Sequence, residues 1–211
     1  MKTDTLIRAL AADAKVDHGP ALFLVGGLVA AFGLCLGLLW LLLGIRADLD
    51  QAMTNPLSIM RFLLSGSLML VAGRLCMVVA RPEGARLAQL WPLTGIAAAT
   101  LGALIWAGYF TPTEAWQMAI VGKTAVNCLI AIPLLSLIPV ALILVALRQG
   151  ATTVPGLAAC LAGLCGGGLA AMVYALHCTE DSPLFYVTWY GLAIAVVTLI
   201  TTFLGARLLR W

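Results

Sequence analysis

Charge is what this sequence has least of. Only 10% of its 211 residues are Asp, Glu, Lys or Arg, against 63% hydrophobic, and there are two histidines. A soluble globular domain carries about a quarter charged residues, so the composition excludes one and points to an integral membrane protein. No CxxC pair occurs among the six cysteines, which argues against a thioredoxin-like or quinone-linked disulfide exchanger. No long apolar run carries Asp, Glu, Lys, Arg or His near its midpoint, where pumps and transporters usually keep such groups. The ten-residue alternation of an outer-membrane barrel is missing. So is a cleavable leader: Lys2, Asp4, Arg8, Asp13, Lys15, Asp17 and His18 precede an apolar run too long for a signal h-region.

What is present is six apolar runs, each near the roughly 20 residues needed to cross a bilayer. They fall at about Ala21–Ile45, Leu57–Ala80, Leu90–Phe110, Thr124–Leu147, Val154–Leu176 and Leu184–Leu209. Backbone groups in lipid must bond within their own segment, so the spans are helices. The fold class is all-α: a polytopic bundle of six transmembrane helices at 21–211, preceded by a short cytoplasmic segment at 1–20. Pro133 and Pro139 read as ordinary membrane prolines within the fourth span. Gly33 with Gly37, and Gly163 with Gly167, mark faces where helices approach closely, and packing within the bundle is the expected use of both.

Orientation follows from the basic residues. With the N-terminus inside, the outer loops hold three of the twelve, Arg46, Arg61 and Lys123, and the inner side holds the other nine. Both termini are therefore expected in the cytoplasm of a bacterial inner membrane. The outer loops then face an oxidising periplasm.

Two soluble stretches stand out. In the first, Thr3 or Asp4 can cap a helix of about three turns, on which Leu6, Ile7 and Leu10 form a narrow apolar stripe beside Arg8. Such a helix either lies on membrane lipid or seats its stripe in a partner's groove. The second is the outer loop HCTEDSP, where His177, Cys178, Glu180 and Asp181 cluster before an aromatic run. Cys128 is five residues past Lys123 and so sits at the same membrane level as Cys178. The two thiols could bond to each other, ligate a soft metal with His177, Glu180 or Asp181 nearby, or be unrelated. Cys35, Cys76, Cys160 and Cys165 read as small apolar packing residues.

The segment YALHCTEDSP followed by FYVTWYG, the opening LIRALAADA, the stretch CLIAIPLLSLIP and the ending GARLLRW resemble the NrsF family along the whole chain. These are six-span inner-membrane anti-sigma factors, negative regulators of sigma factor F. Thr179 departs from the proline expected there. The resemblance implies a sensor and binding protein, not an enzyme. It implies an extracytoplasmic-function sigma factor held on the cytoplasmic side and released under heavy-metal or oxidative stress, with no direct nucleic-acid contact. The family's two signature cysteines map onto Cys128 and Cys178. The sigma-binding role falls to Leu6, Ile7, Arg8 and Leu10, with Arg81 and Arg86 as further contacts. No obligatory cofactor is implied, only a transient soft metal ion at the two thiols. The competing expectation, from six spans interrupted by Pro and Gly, is a small transporter or metal-handling permease.

Overall fold

The computed structural model describes residues 3–5, 7, 20–81 and 90–210. Among them are eight α-helices and no strand. In chain order they are α1 (Pro20–Leu42), α2 (Leu49–Ala52), α3 (Pro56–Val79), α4 (Trp91–Phe110), α5 (Trp116–Val121), α6 (Ala125–Arg148), α7 (Pro155–Tyr174) and α8 (Pro183–Leu208). Six of these are long and apolar enough to cross a membrane: α1, α3, α4, α6, α7 and α8. At about 1.5 Å per residue, even the 20-residue α4 and α7 reach roughly 30 Å.

The span starts are set by proline and by capping. Pro56, Pro155 and Pro183 each open a helix in its first turn, where the missing N–H costs no internal bond. At α3 the Asn55 side chain also accepts the Leu57 N–H at 3.0 Å. α6 runs unbroken through Pro133 and Pro139, as expected of membrane prolines.

Helix α7 is the axis of the bundle, packed against α3, α6, α8 and α1. Its glycines make this possible. A Cβ at Gly163 would stand 2.6 Å from the Cα of Thr198 on α8, and one at Gly168 3.0 Å from the Met69 backbone on α3. The expected close-packing use of Gly163 is therefore met. Gly33 and Gly37 on α1 differ: among the described residues nothing comes within 4 Å of a Cβ built there. That face is open because α1 packs mainly through its opposite side, Ala31, Cys35 and Leu39, against α6. Helix α4 is the outlier, packing mainly against the edges of α3 and α8.

The buried residues divide into two clusters, one at each end of the bundle. One gathers Cys35, Leu39, Cys128, Ile132, Tyr174, Cys178 and Tyr190. The other gathers Cys76, Ile143, Leu147, Leu161 and Cys165. Cys35, Cys76 and Cys165 are fully enclosed, matching their expected packing role, and Cys160 is half-buried. The connections also differ from a set of plain short loops. A 3₁₀ turn at Thr113–Ala115 and α5 form a helical shelf between α4 and α6. The Trp189 indole of α8 donates to the Ile120 carbonyl at 2.7 Å and holds that shelf down.

Of the N-terminal stripe, Ile7 is helical and exposed, while Leu6, Arg8 and Leu10 lie outside the described residues. Arg81 is exposed just past α3, and Arg86 also lies outside them.

Candidate functional site

The site is built at the bundle end where α1 finishes, α3 begins and α7 hands over to α8. The α7–α8 connection leaves α7 with Tyr174, and Pro183 starts α8, so eight residues must turn at the membrane face. Their carbonyls cannot be left bare there. Two arginines take them up. Arg61, on the second turn of α3, is fully buried. It donates to the carbonyls of Glu180 at 2.8 Å, Ala175 at 3.1 Å and Cys178 at 3.2 Å. Arg46, just past α1, donates to the Cys178 carbonyl at 3.1 Å and to both carboxylate oxygens of Asp181 at 2.9 and 3.1 Å. It also holds Asp48 through two bonds of 2.8 Å. Asp181 in turn pairs with Arg61 at 3.3 Å. Two buried guanidiniums are thus balanced by two carboxylates, and the carbonyl of Cys178 is gripped by both.

The clamp brings two thiols together. Cys128 is on the first turn of α6 and Cys178 is in the clamped loop, fifty residues on. Both are buried, and they lie side by side as free thiols, close enough for each to feel the other's proton. The Thr124 hydroxyl approaches the Cys178 sulfur at 3.7 Å. The hydroxyls of Tyr174 and Tyr190 come near the pair without completing a hydrogen bond.

A second join fixes the α5–α6 turn to the same loop. The Glu180 carboxylate accepts the Lys123 backbone N–H at 2.8 Å. Gly122 makes that turn with φ +55°, and a Cβ there would stand 2.7 Å from the Phe185 ring and 2.9 Å from the Glu180 carboxyl carbon. Gly122→Ala is therefore expected to cost about 1–3 kcal/mol, since a strained φ alone is worth that much. Chemical unfolding in detergent micelles measures it; a loss below a few tenths would mean the turn adapts freely.

The other loop residues point elsewhere. The His177 ring nitrogen Nδ1 bonds to the Gly44 carbonyl at 3.0 Å. Asp181 belongs to the clamp, and Glu180 to the Lys123 turn. No group of three His, Cys, Asp or Glu side chains able to hold a metal exists among the described residues. The thiols are left as a two-sulfur site.

Electrostatics sharpen the site. The Cys128 thiol lowers the pKa of Cys178; burial opposes this, while the backbone at Glu180, the Tyr190 hydroxyl and the Arg61 charge assist. The first proton of the pair therefore leaves below the ordinary thiol range. The Arg46 bonds hold Asp48 at about 2. Burial pushes Asp181 up, but the Arg46 bond, Ser58 and the charges of Arg61 and Arg46 outweigh it and hold Asp181 low. The folded-state values lie below those of an unfolded aspartate. The clamp's contribution is then complete above roughly pH 4 and drains away as pH falls through the folded values. In Cys178→Ser, where the low-pKa thiol no longer titrates, the melting temperature should stay flat from pH 8 to roughly pH 4 and fall below it. A decline beginning near pH 6 would point to groups other than these aspartates.

Residues 10–211 match the family described as negative regulator of sigma F, NrsF. The chain belongs to the NrsF family. NrsF proteins are regulators rather than enzymes, and this chain has the six apolar spans of a membrane protein. It is 37% identical over 220 residues to the anti-sigma-F factor NrsF of Caulobacter vibrioides (strain NA1000 / CB15N), and 33% identical over 223 residues to the probable anti-sigma-F factor NrsF of Azospira oryzae (strain ATCC BAA-33 / DSM 13638 / PS). Both alignments span the whole of each chain. No solved structure matches the NrsF chain.

Sequence reasoning did not find Arg46, Arg61, Thr124 or Gly122. Arg61 and Arg46 were counted only as markers of orientation. The signal was there in Arg61, a charge inside an apolar span, which by default marks a functional or buried-paired site.

Proposed function

We propose that this NrsF protein holds an extracytoplasmic-function sigma factor at the cytoplasmic face of a bacterial inner membrane and lets it go when the Cys128–Cys178 pair reacts on the outer side. The observation that carries this reading is the pair itself, two thiols from distant elements meeting against a loop clamped to α1 and α3. The basic-residue asymmetry supports the orientation, with both termini inside. The two-sulfur site suits a soft ion of low coordination number, and an oxidant would join the sulfurs instead. Thiolate character at Cys178 favours either reaction.

The clamp supplies a route across the membrane. Arg46 follows the end of α1, and Arg61 is in the second turn of α3. The far end of α1 leads to the N-terminal segment with Leu6, Ile7, Arg8 and Leu10, and the far end of α3 to Arg81 and Arg86. A change of spacing between the sulfurs moves the Cys178 carbonyl, and both helices with it. A coupling of about 1–3 kcal/mol would change sigma affinity 5- to 150-fold. His177, Glu180 and Asp181 act here as supports of the loop rather than as ligands. The permease reading loses ground because the family is named for regulation.

Co-purification tests the output side. The full chain should retain the sigma factor encoded beside it, and deletion of residues 1–18 should reduce retention at least tenfold. Undiminished binding by the deletion would move the sigma contact away from the N-terminal segment.

A further inference from the structure

Beside the thiol pair lies a cleft that sigma-factor binding does not use. It runs between α3, α4 and α8 and has a volume of about 140 Å³. Arg61 and Ser65 of α3 and Tyr186 and Tyr190 of α8 form its outer end; Leu68 and Ile194 form its apolar floor. Arg61, Tyr186 and Tyr190 are at most 3% exposed, yet the Arg61 Nε and both tyrosine hydroxyls have no hydrogen-bond partner. The Tyr190 hydroxyl lies toward Cys178, which leaves the Arg61 Nε and the Tyr186 hydroxyl as two unmatched polar atoms that are expensive to bury empty. The cleft reaches the bundle surface at the exposed Gly191.

The occupant's chemistry follows from these atoms. Arg61 and Arg46 are already balanced by Asp181 and Asp48, so no spare charge invites an ion. What remains is hydrogen-bond donors at one end and hydrocarbon at the other. A cavity of this size takes one six-membered ring. We propose that this cleft binds a neutral, membrane-dissolved molecule whose head carries carbonyl acceptors on an apolar body. A quinone and a glycerolipid ester share that chemistry. The ligand's carbonyl takes the Arg61 Nε–H and the Tyr186 hydroxyl, and its body leaves past Gly191 into lipid. Tyr190 borders both the cleft and Cys178, so occupancy bears on the thiol environment through that ring. The proposal concerns binding only and stands apart from the sigma-factor reading.

The test uses the full chain in maltoside detergent, with a benzoquinone bearing one isoprene unit in one arm and dioctanoylglycerol in the other. Binding is followed by titration calorimetry and by the rate at which a small methanethiosulfonate labels Cys178. Gly191→Leu is the blocking variant, since among the described residues nothing comes within 4 Å of a Cβ at Gly191, so the larger side chain enters at the cleft mouth without displacing the bundle's packing there. Tyr186→Phe removes one donor and keeps the ring. At least one probe should bind saturably, weaken at least tenfold in Gly191→Leu and several-fold in Tyr186→Phe, and change the Cys178 labelling rate. Which arm responds identifies the source of the carbonyl. No saturable binding in either arm, or binding unchanged in both variants, overturns the proposal. None of these readouts involves a sigma factor, so its failure is separable from failure of the regulatory reading.

Discussion

Arg61→Met should cost this protein about 3–5 kcal/mol, the largest loss expected of any single substitution at the thiol-pair end of the bundle. Methionine matches the length of the arginine stem but leaves the carbonyls of Ala175 and Glu180 without their donor and that of Cys178 with Arg46 alone. It also leaves Asp181 with Arg46 alone. Breaking a buried pair by removing one partner typically costs that much, because the surviving groups keep their desolvation penalty. Arg61→Lys should recover little of it. An ammonium is a point charge and cannot reach three carbonyls in a planar fork. Chemical unfolding in mixed micelles measures the loss. Asp181→Asn combined with Arg61→Met should cost less than the two singles added together, since each single leaves the other's charge stranded. A loss under about 1 kcal/mol for Arg61→Met would mean that water, not the guanidinium, satisfies the loop.

The second large effect concerns function. Cys178→Ser should abolish release of the sigma factor under metal or oxidant while leaving its binding in resting cells intact. Serine is nearly isosteric but neither ligates soft metals nor oxidises to a disulfide. Cys128→Ser should behave alike, since one sulfur cannot do the work of the pair. The lowered pKa of Cys178 adds a pH signature. Between pH 8 and pH 6 an ordinary thiol loses about a hundredfold in thiolate, and with it most of its reaction rate. The wild-type pair should slow far less over that range. A full hundredfold drop in the rate of methanethiosulfonate labelling would place Cys178 among ordinary buried thiols.

Much of the fold was legible, and for a simple reason. A membrane span is written in composition along one continuous stretch, so all six were found, with ends shifted by at most a few residues from Pro20–Leu42, Pro56–Val79 and their counterparts. The helical shelf of α5 was not found, because six residues carry too little periodicity to separate from a loop. The open Gly33–Gly37 face was misread for a related reason: small residues announce that a close approach is allowed, not that one occurs.

The site was legible only in part. Cys178 stood out as the thiol of a polar cluster, and Cys128 was joined to it by family resemblance and membrane level. Nothing in their spacing shows that the sulfurs lie side by side. His177, Glu180 and Asp181 drew attention through adjacency to Cys178, and the structure sends each to a different partner: Gly44, the Lys123 turn and the arginines. The hydrogen bonds of Arg61 all run to backbone carbonyls more than a hundred positions away, and Arg46 shares one of those carbonyls. A bond to a carbonyl leaves no trace in the identity of the residue that owns it, so such a clamp has no sequence pattern.

The central claim is that the thiol pair on one face governs sigma binding on the other. Its most direct measurement is the fraction of sigma factor retained by membrane vesicles holding the full chain, before and after a soft thiophilic ion reaches the Cys128–Cys178 side. Wild-type vesicles should lose sigma affinity by 5- to 150-fold, and vesicles carrying Cys128→Ser or Cys178→Ser should retain it unchanged. Equal release from wild type and both variants would contradict the account.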